Sequence, residues 1–212
     1  SAIEYTYDIP VNIYKSDTSD KVTQLNPNTM FDAMYGGSSQ SSMSGMSMYS
    51  NSSVWSQLFD NKEILESQYT VLAGHWPESY NEVVLVKAMM SGKSYTLDND
   101  ETTYTFDEIL NTTFKLILPT DVYSYNESKE IWEDKSDNDI FMKNVVNNGT
   151  DIKIAGIIKP SEEAVSTSLS RGIGYTKELT EYIINGVNDS AIAKAQLADE
   201  DTDIFTGVPF DN

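Results

Sequence analysis

The chain has no cysteine, a single histidine, and 14 Lys+Arg against 33 Asp+Glu, a formal net charge of −19. The first absence removes disulfides, thiolate zinc sites and cysteine nucleophiles together. It fits an extracytoplasmic domain from a lineage that seldom uses disulfides. The second leaves any catalytic triad or histidine–metal site resting on His75 alone. The third excludes nucleic acid, whose phosphate backbone needs clustered Lys and Arg. An anionic membrane surface would repel the domain as well. The acidity reads first as a source of solubility, with a cationic ligand or metal as the alternative. No stretch has the form of a signal peptide or a membrane span. The chain opens on Ser1-Ala2-Ile3-Glu4 and ends on Pro209-Phe210-Asp211-Asn212 without helix closure. It therefore reads as a piece of a longer protein whose flanks hold membrane helices.

Hydrophobic residues make up 39% of the chain, below the ~45–50% usual for globular proteins. Aromatics nevertheless reach 11%, with 13 Tyr, 7 Phe and 3 Trp. Disordered chains are poor in aromatics, so a folded domain with a very polar surface is expected. At 212 residues one domain can bury about 70% of its unfolded surface.

Local patterns predict the elements. Residues 3–14 alternate as a strand interrupted by Pro10, and residues 22–27 give a second short strand. Residues 28–34 allow one helical turn. Residues 36–53 are rich in Gly and Ser and read as a flexible loop. The methionines Met34, Met43, Met46 and Met48 raise a soft-metal reading, weakened by the lack of His or Cys beside them. Trp55, Leu58, Phe59, Ile64, Leu65 and Tyr69 have helical spacing within residues 54–69. Residues 71–86 give an apolar run, a Gly74/Trp76/Pro77 turn and the β-branched run Val83 to Val86. A short helix is expected over 105–111, a strand over 113–119, and a hairpin around 126–129. A helix over 139–147 should end at Asn147-Asn148-Gly149, and a strongly alternating strand over 151–159 should stop at Pro160. Residues 171–176 read as a glycine-rich connection with a tight turn. Thr176 should cap a helix over 177–185 with Gly186 past its end, and Asn188 a second helix to about Ala198. Residues 199–212 read as an acidic, irregular tail. No repeat and no linker divides the chain, so the expectation is one α+β domain over 1–212 with a mixed sheet.

Chemical motifs are weak. The Arg171-Gly-Ile-Gly-Tyr175 run lacks the third glycine of a dinucleotide fingerprint, and no phosphate loop is present. Asp98-Asn-Asp100-Glu101 starts like a calcium loop, but has no Gly at position 6 and Ile109 at position 12. The groups Asp134/Asp137/Asp139 and Asp199/Asp201/Asp203 are as loose, and read as solvated turns. Carboxylates are too numerous to single out a glycosidase pair. Sequons at Asn51, Asn111, Asn126, Asn148 and Asn188 matter only in a eukaryotic secretory path.

Four blocks carry a resemblance. They are Val71-Leu-Ala-Gly-His-Trp-Pro-Glu-Ser-Tyr-Asn-Glu-Val-Val-Leu-Val86, Phe114-Lys-Leu-Ile-Leu-Pro119, Ile152-Lys-Ile-Ala-Gly-Ile-Ile-Lys-Pro-Ser161, and Gly172-Ile-Gly-Tyr-Thr176 with its following helix. With them the chain resembles the extracytoplasmic, MacB-like periplasmic core domain of FtsX-like ABC-transporter permeases, Gram-positive type. The resemblance covers most of residues 1–212, with 36–53 outside it. It implies a porter-like module plus a smaller β-rich part, on the extracellular side of the cell membrane. Its partners would be the membrane helices of the same permease, a separate ATP-binding subunit, and an extracellular peptide or protein. The implied work is mechanotransmission, coupling ATP hydrolysis to efflux or to an outside partner, without enzymatic activity. Gly74, Trp76, Pro77, Glu82, Gly156, Pro160, Gly172, Gly174 and Tyr175 are then structural signature positions. No catalytic, cofactor-binding or metal-binding residue carries over. The chain ends near Phe210, where the family pattern implies more ectodomain. The competing readings are a secreted or surface-anchored binding protein for a peptide, cation or carbohydrate, and a hydrolase using His75 or an Asp/Glu pair.

Overall fold

Thr150–Pro160 is the longest strand, and the sheet is organised around it. The computed structural model describes residues 9–25, 55–86, 105–169 and 172–210. The elements in chain order are β1 (Asn12–Lys15), β2 (Trp55–Gln57), α1 (Lys62–Gln68), β3 (Tyr69–Gly74), β4 (Glu82–Val86), α2 (Phe106–Leu110) and β5 (Thr113–Ile117). There follow β6 (Tyr123–Asn126), β7 (Ile131–Asp134), α3 (Asp139–Asn148), β8 (Thr150–Pro160), β9 (Gly172–Tyr175), α4 (Lys177–Asp189), α5 (Ala191–Ala198), β10 (Thr202–Asp203) and β11 (Val208–Pro209). The protein is α+β, with a mixed sheet in the order β1-β5-β8-β4-β9-β2 and β3 also on β8. Strand β8 is antiparallel to β5 over its first residues and to β3 over its last, and parallel to β4.

The register of β8 shows how the sheet buries both faces. Ile152, Ile154 and Ile157 belong to one core with Val83, Leu85, Ile173, Leu179 and Ile183. Ile158 belongs to a second core with Leu58, Leu65, Tyr69, Val84 and Val86. A strict period of two would turn Ile157 to the opposite face from Ile154. The pairing with β4 skips Ala155, since Val83 faces Ile154 and Val84 faces Gly156. That extra residue is a bulge, and it returns Ile157 to the first core. Strand β4 alternates without interruption, Val83 and Leu85 to one core, Val84 and Val86 to the other. Each such side chain, fully buried, stabilises by about 1.5–3 kcal/mol.

The sheet is curled. Strands β5 and β2 are four strand steps apart, roughly 19 Å in a flat sheet. Yet Phe114 on β5 and Trp55 on β2 meet edge-on with ring centroids 5.9 Å apart. Helix α4 lays Leu179 and Ile183, one turn apart, into this concave core, with Ile109 of α2 beside them. Helix α3 covers Tyr14 and Ile117 with Met142 and Val146. The hairpin β6–β7 and the pair β10–β11 form the smaller β-rich part, joined where Trp132 N–H donates to the Ile204 carbonyl at 2.9 Å.

Several sequence expectations hold here: the short helix α2, strand β5, the β6–β7 hairpin, α3 and β8. Others are corrected. Trp55 lies in strand β2, and only Lys62–Gln68 is helical, because Asn61 caps the helix by accepting the Ile64 N–H at 3.1 Å. The glycine-rich connection is strand β9, paired with both β4 and β2. Gly186 lies inside α4, which runs on to Asp189, and Ser190 rather than Asn188 caps α5. Gly149 does end α3, with φ of −62° and ψ of 162° rather than a left-handed conformation. The tail folds into β10 and β11. Residues 22–25 supply an isolated bridge, Tyr14 to Gln24, in place of a strand. The expectations for 3–8, 28–34, 36–53 and 98–101 lie outside the described residues. Among the described residues no helix is long and apolar enough to cross a membrane.

Candidate functional site

The signature corner is built by backbone. Strand β3 ends at Gly74 with φ of +72°, a conformation that glycine adopts freely. The next residue, His75, donates its N–H to the Ala155 carbonyl at 2.9 Å, the residue that bulges from β8. Gly74 pairs with Gly156 across the two strands. The chain then turns through Trp76 and Pro77, and Glu82 closes the turn by accepting the Glu78 N–H at 2.8 Å. Asn81 anchors the start of β4 to β8: its side chain donates to the Asp151 carbonyl at 3.1 Å, and its carbonyl accepts from Lys153 at 2.9 Å.

Around this corner the other signature positions assemble. Trp76 packs on the second core and meets Tyr69 edge-on at 6.4 Å between centroids. Pro160, buried, is the last residue of β8 and faces Tyr69. Beyond it, Ser161 N–H donates to the Gln68 carbonyl at 2.8 Å, so the strand is stopped without an orphan donor. Gly172 (φ +109°) faces Val86, Gly174 faces Val84, and Tyr175 faces Val83. Leu58 lies against Gly174, where a Cβ would come within 2.6 Å of its Cδ2. All nine signature positions therefore belong to one sheet or the turn that joins its strands.

A cleft of about 460 Å³ lies beside the corner, lined by Phe59, Leu65, Gly74, His75, Trp76, Pro77 and Lys177 among others. Both lysines of its lining are paired, Lys62 with Glu66 at 3.7 Å and Lys177 with Glu181 at 3.5 Å. His75 is exposed, and its Nδ1 lies 2.8 Å from the Trp76 carbonyl. Among the described residues no Ser, Asp or Glu hydrogen-bonds its ring. A histidine-based hydrolase would need such a partner to orient the base.

The acidic turns use their carboxylates on their own backbone. Asp134 accepts from Ser136 N–H at 2.8 Å, which holds its carboxyl below the ordinary range. Asp199 accepts from Asp201 at 3.2 Å and Thr202 at 3.1 Å, and Asp203 from Phe205 at 2.9 Å. No group of three His, Asp or Glu able to hold a metal occurs among the described residues.

Sequence reading missed two features. Tyr69 reaches across to the 161–169 loop, where its hydroxyl donates to the Leu169 carbonyl at 2.9 Å and lies 3.0 Å from Ser168 Oγ. A second cleft gathers Asp121, Tyr123, Trp132, Asn144 and Asn148, drawn from segments far apart in sequence, so no local motif marks it. Comparison with protein-family models, with curated proteins and with solved structures returns no match for this chain.

Proposed function

We propose that this chain is a non-catalytic extracytoplasmic domain of an FtsX-like ABC permease. It would couple ATP hydrolysis by a separate cytoplasmic subunit to efflux, or to a partner outside the membrane. One observation carries the reading. The four blocks on which the resemblance rests form β3, β4, β5, β8 and β9, five contacting strands of one sheet. They share no reactive side chain; what they share is a close-packed backbone crossing. A domain that passes force between membrane helices and an outside partner needs stiffness at such a crossing more than it needs a reactive group. Strand β8 supplies it, being held by β5 and β3 on one side and β4 on the other.

The test is topology in the full-length parent. The chain has no cysteine, so a single Val165→Cys, at a fully exposed loop position, is a clean label site. The expected result is modification by a membrane-impermeant maleimide on intact cells. Labelling only after the membrane is opened would overturn the proposal, as would a parent gene without flanking apolar segments of ~20 residues. An adjacent ATPase gene is the expected neighbour.

A further inference from the structure

The second cleft, about 540 Å³, lies between the segment leading into β6, the C-terminal half of α3, and the elbow where α4 meets α5. Its lining contains two carboxylates, Asp121 and Asp189, and no Lys or Arg. Asp189 already pairs with Lys194 at 3.3 Å. Asp121 has no such partner: among the described residues it accepts only the Leu118 N–H, at 2.7 Å. Asp121 is exposed to water, and burial of the part of it that packs against the cleft wall pushes its carboxyl above the ordinary range.

Most of the surroundings suit positive charge; the exception is the N-terminus of α5, whose Ala191 and Ile192 also line the cleft. The buried Thr120 Oγ1 beside Asp121 has no hydrogen-bond partner in the protein. Helices α3 and α4 both end at the cleft, and neither has a basic residue in its last turn. Helix C-termini carry partial negative charge, which cations complement. Lys115 does bond the Gly149 carbonyl at 3.2 Å, but it is drawn aside by Asp151 at 2.7 Å and does not line the cleft. Trp132 and Tyr123 supply aromatic walls, the surface on which an ammonium group with an alkyl chain rests.

We propose that this cleft binds a primary ammonium group on a short aliphatic chain, with Asp121 as its counter-ion and Trp132 and Tyr123 as its walls. The site uses only residues of this chain, and its test needs no membrane. A free diamine and the lysine side chain of a peptide share this chemistry. Two probes separate them: 1,5-diaminopentane, and Nα-acetyl-lysine methylamide. Pentanol, neutral and of similar length, is the control for apolar binding, and methyl glucoside the control for a carbohydrate site.

Calorimetric titration of the folded chain should show saturable binding of at least one ammonium probe, with pentanol and methyl glucoside about tenfold weaker or worse. Tighter binding of the lysine derivative marks a peptide partner, tighter binding of the diamine a small cation. In NMR the shifts should fall on residues 118–123, 132 and 144–149. Asp121→Asn keeps an oxygen for the Leu118 N–H, so it should fold normally while losing about tenfold or more in affinity. Trp132→Leu should lose about fivefold. Absence of binding at millimolar probe, equal binding of pentanol or of methyl glucoside, unchanged affinity in Asp121→Asn, or shifts mapping to another face would each overturn the site. Should Asp121→Asn fail to fold, the wild-type shift map and Trp132→Leu decide alone.

Discussion

Gly74 and Gly156 face each other so closely that neither position has room for a side chain. A Cβ on Gly74 would lie 2.1 Å from the Ala155 carbonyl oxygen, and one on Gly156 would lie 2.2 Å from the His75 carbonyl oxygen. Both obstacles are backbone, so no rotamer change relieves them. Gly156→Ala must force β3 and β8 apart at the corner. We expect a loss of roughly 2–4 kcal/mol, seen as a melting temperature lower by about 4–16 °C for a chain of this size. A calorimetric melt that moves less than this range would show that the corner is soft, and would remove the stiffness on which the force-transmitting role depends.

Gly186 is the contrasting case. A Cβ there meets Leu118 Cδ1 at 2.6 Å, the far end of a flexible side chain rather than backbone. The residue sits inside α4, where alanine is favoured over glycine by about 0.8–1 kcal/mol. Moving Leu118 offsets this gain. Gly186→Ala should therefore change stability by less than about 1 kcal/mol either way. Chemical denaturation of the two alanine variants side by side gives the comparison. Equal losses at both positions would contradict the distinction between a backbone and a side-chain obstacle.

What the sequence made legible divides along the same line. Strand β8 is readable because Ile152 and Ile154 alternate with Asp151 and Lys153 over its first half, where one face is exposed and the other buried. The bulge at Ala155 is not, since nothing local distinguishes Ala155 from its neighbours; the interlocking with Gly74 and His75 is tertiary. Trp55 reads as helical because its spacing to Leu58 and Phe59 suits a helix as well as a strand end. Gly172 and Gly174 read as a turn because glycine weakens strands. Here Gly174 is in a strand to leave space for Leu58. The corner reads as structural from Gly74, Trp76 and Pro77. The cleft around Asp121 left no trace in the sequence, because it joins the 118–123, 132, 144–149 and 186–192 segments only after folding.

Tyr69 fastens a loop. Its ring is buried and its hydroxyl bonds both the N–H and the carbonyl of Leu169. The Ser168 N–H donates a further bond to the Gln68 side-chain oxygen at 3.1 Å. Tyr69→Phe keeps the packing against Trp76 and removes only the hydroxyl. The expected cost is about 1–3 kcal/mol, that of leaving part-buried polar groups unpaired. It should appear locally, as faster proteolysis near the exposed Val165, with the sheet amides of β8 still protected from hydrogen exchange. Uniform loss of protection across the sheet would instead assign Tyr69 to the global core.

Glu133 on β7 makes stability depend on pH. Hydrogen bonds from Lys129, Lys135 and Asn126 hold its carboxyl at about 2, against an ordinary value of 4.5. A depressed carboxyl means that the folded state resists protonation more than the unfolded state does. The contribution is therefore complete above pH 4.5, and is lost as the pH falls toward 2. Asp121 acts with the opposite sign: its carboxyl is raised, so its contribution is present at low pH and lost as the pH rises through its folded value. The two are separated by comparing wild type with Glu133→Gln rather than by the wild-type curve alone. Thermal melts at steps between pH 7 and 2 should show the variant less stable at neutral pH, with the gap closing below pH 4.5. The Lys129 arm is largely exposed, so added salt should shrink the gap at neutral pH. A gap that stays constant from pH 7 to 2 would mean that the Glu133 charge does not hold the β6–β7 hairpin, and that its hydrogen bonds act as a neutral amide's would.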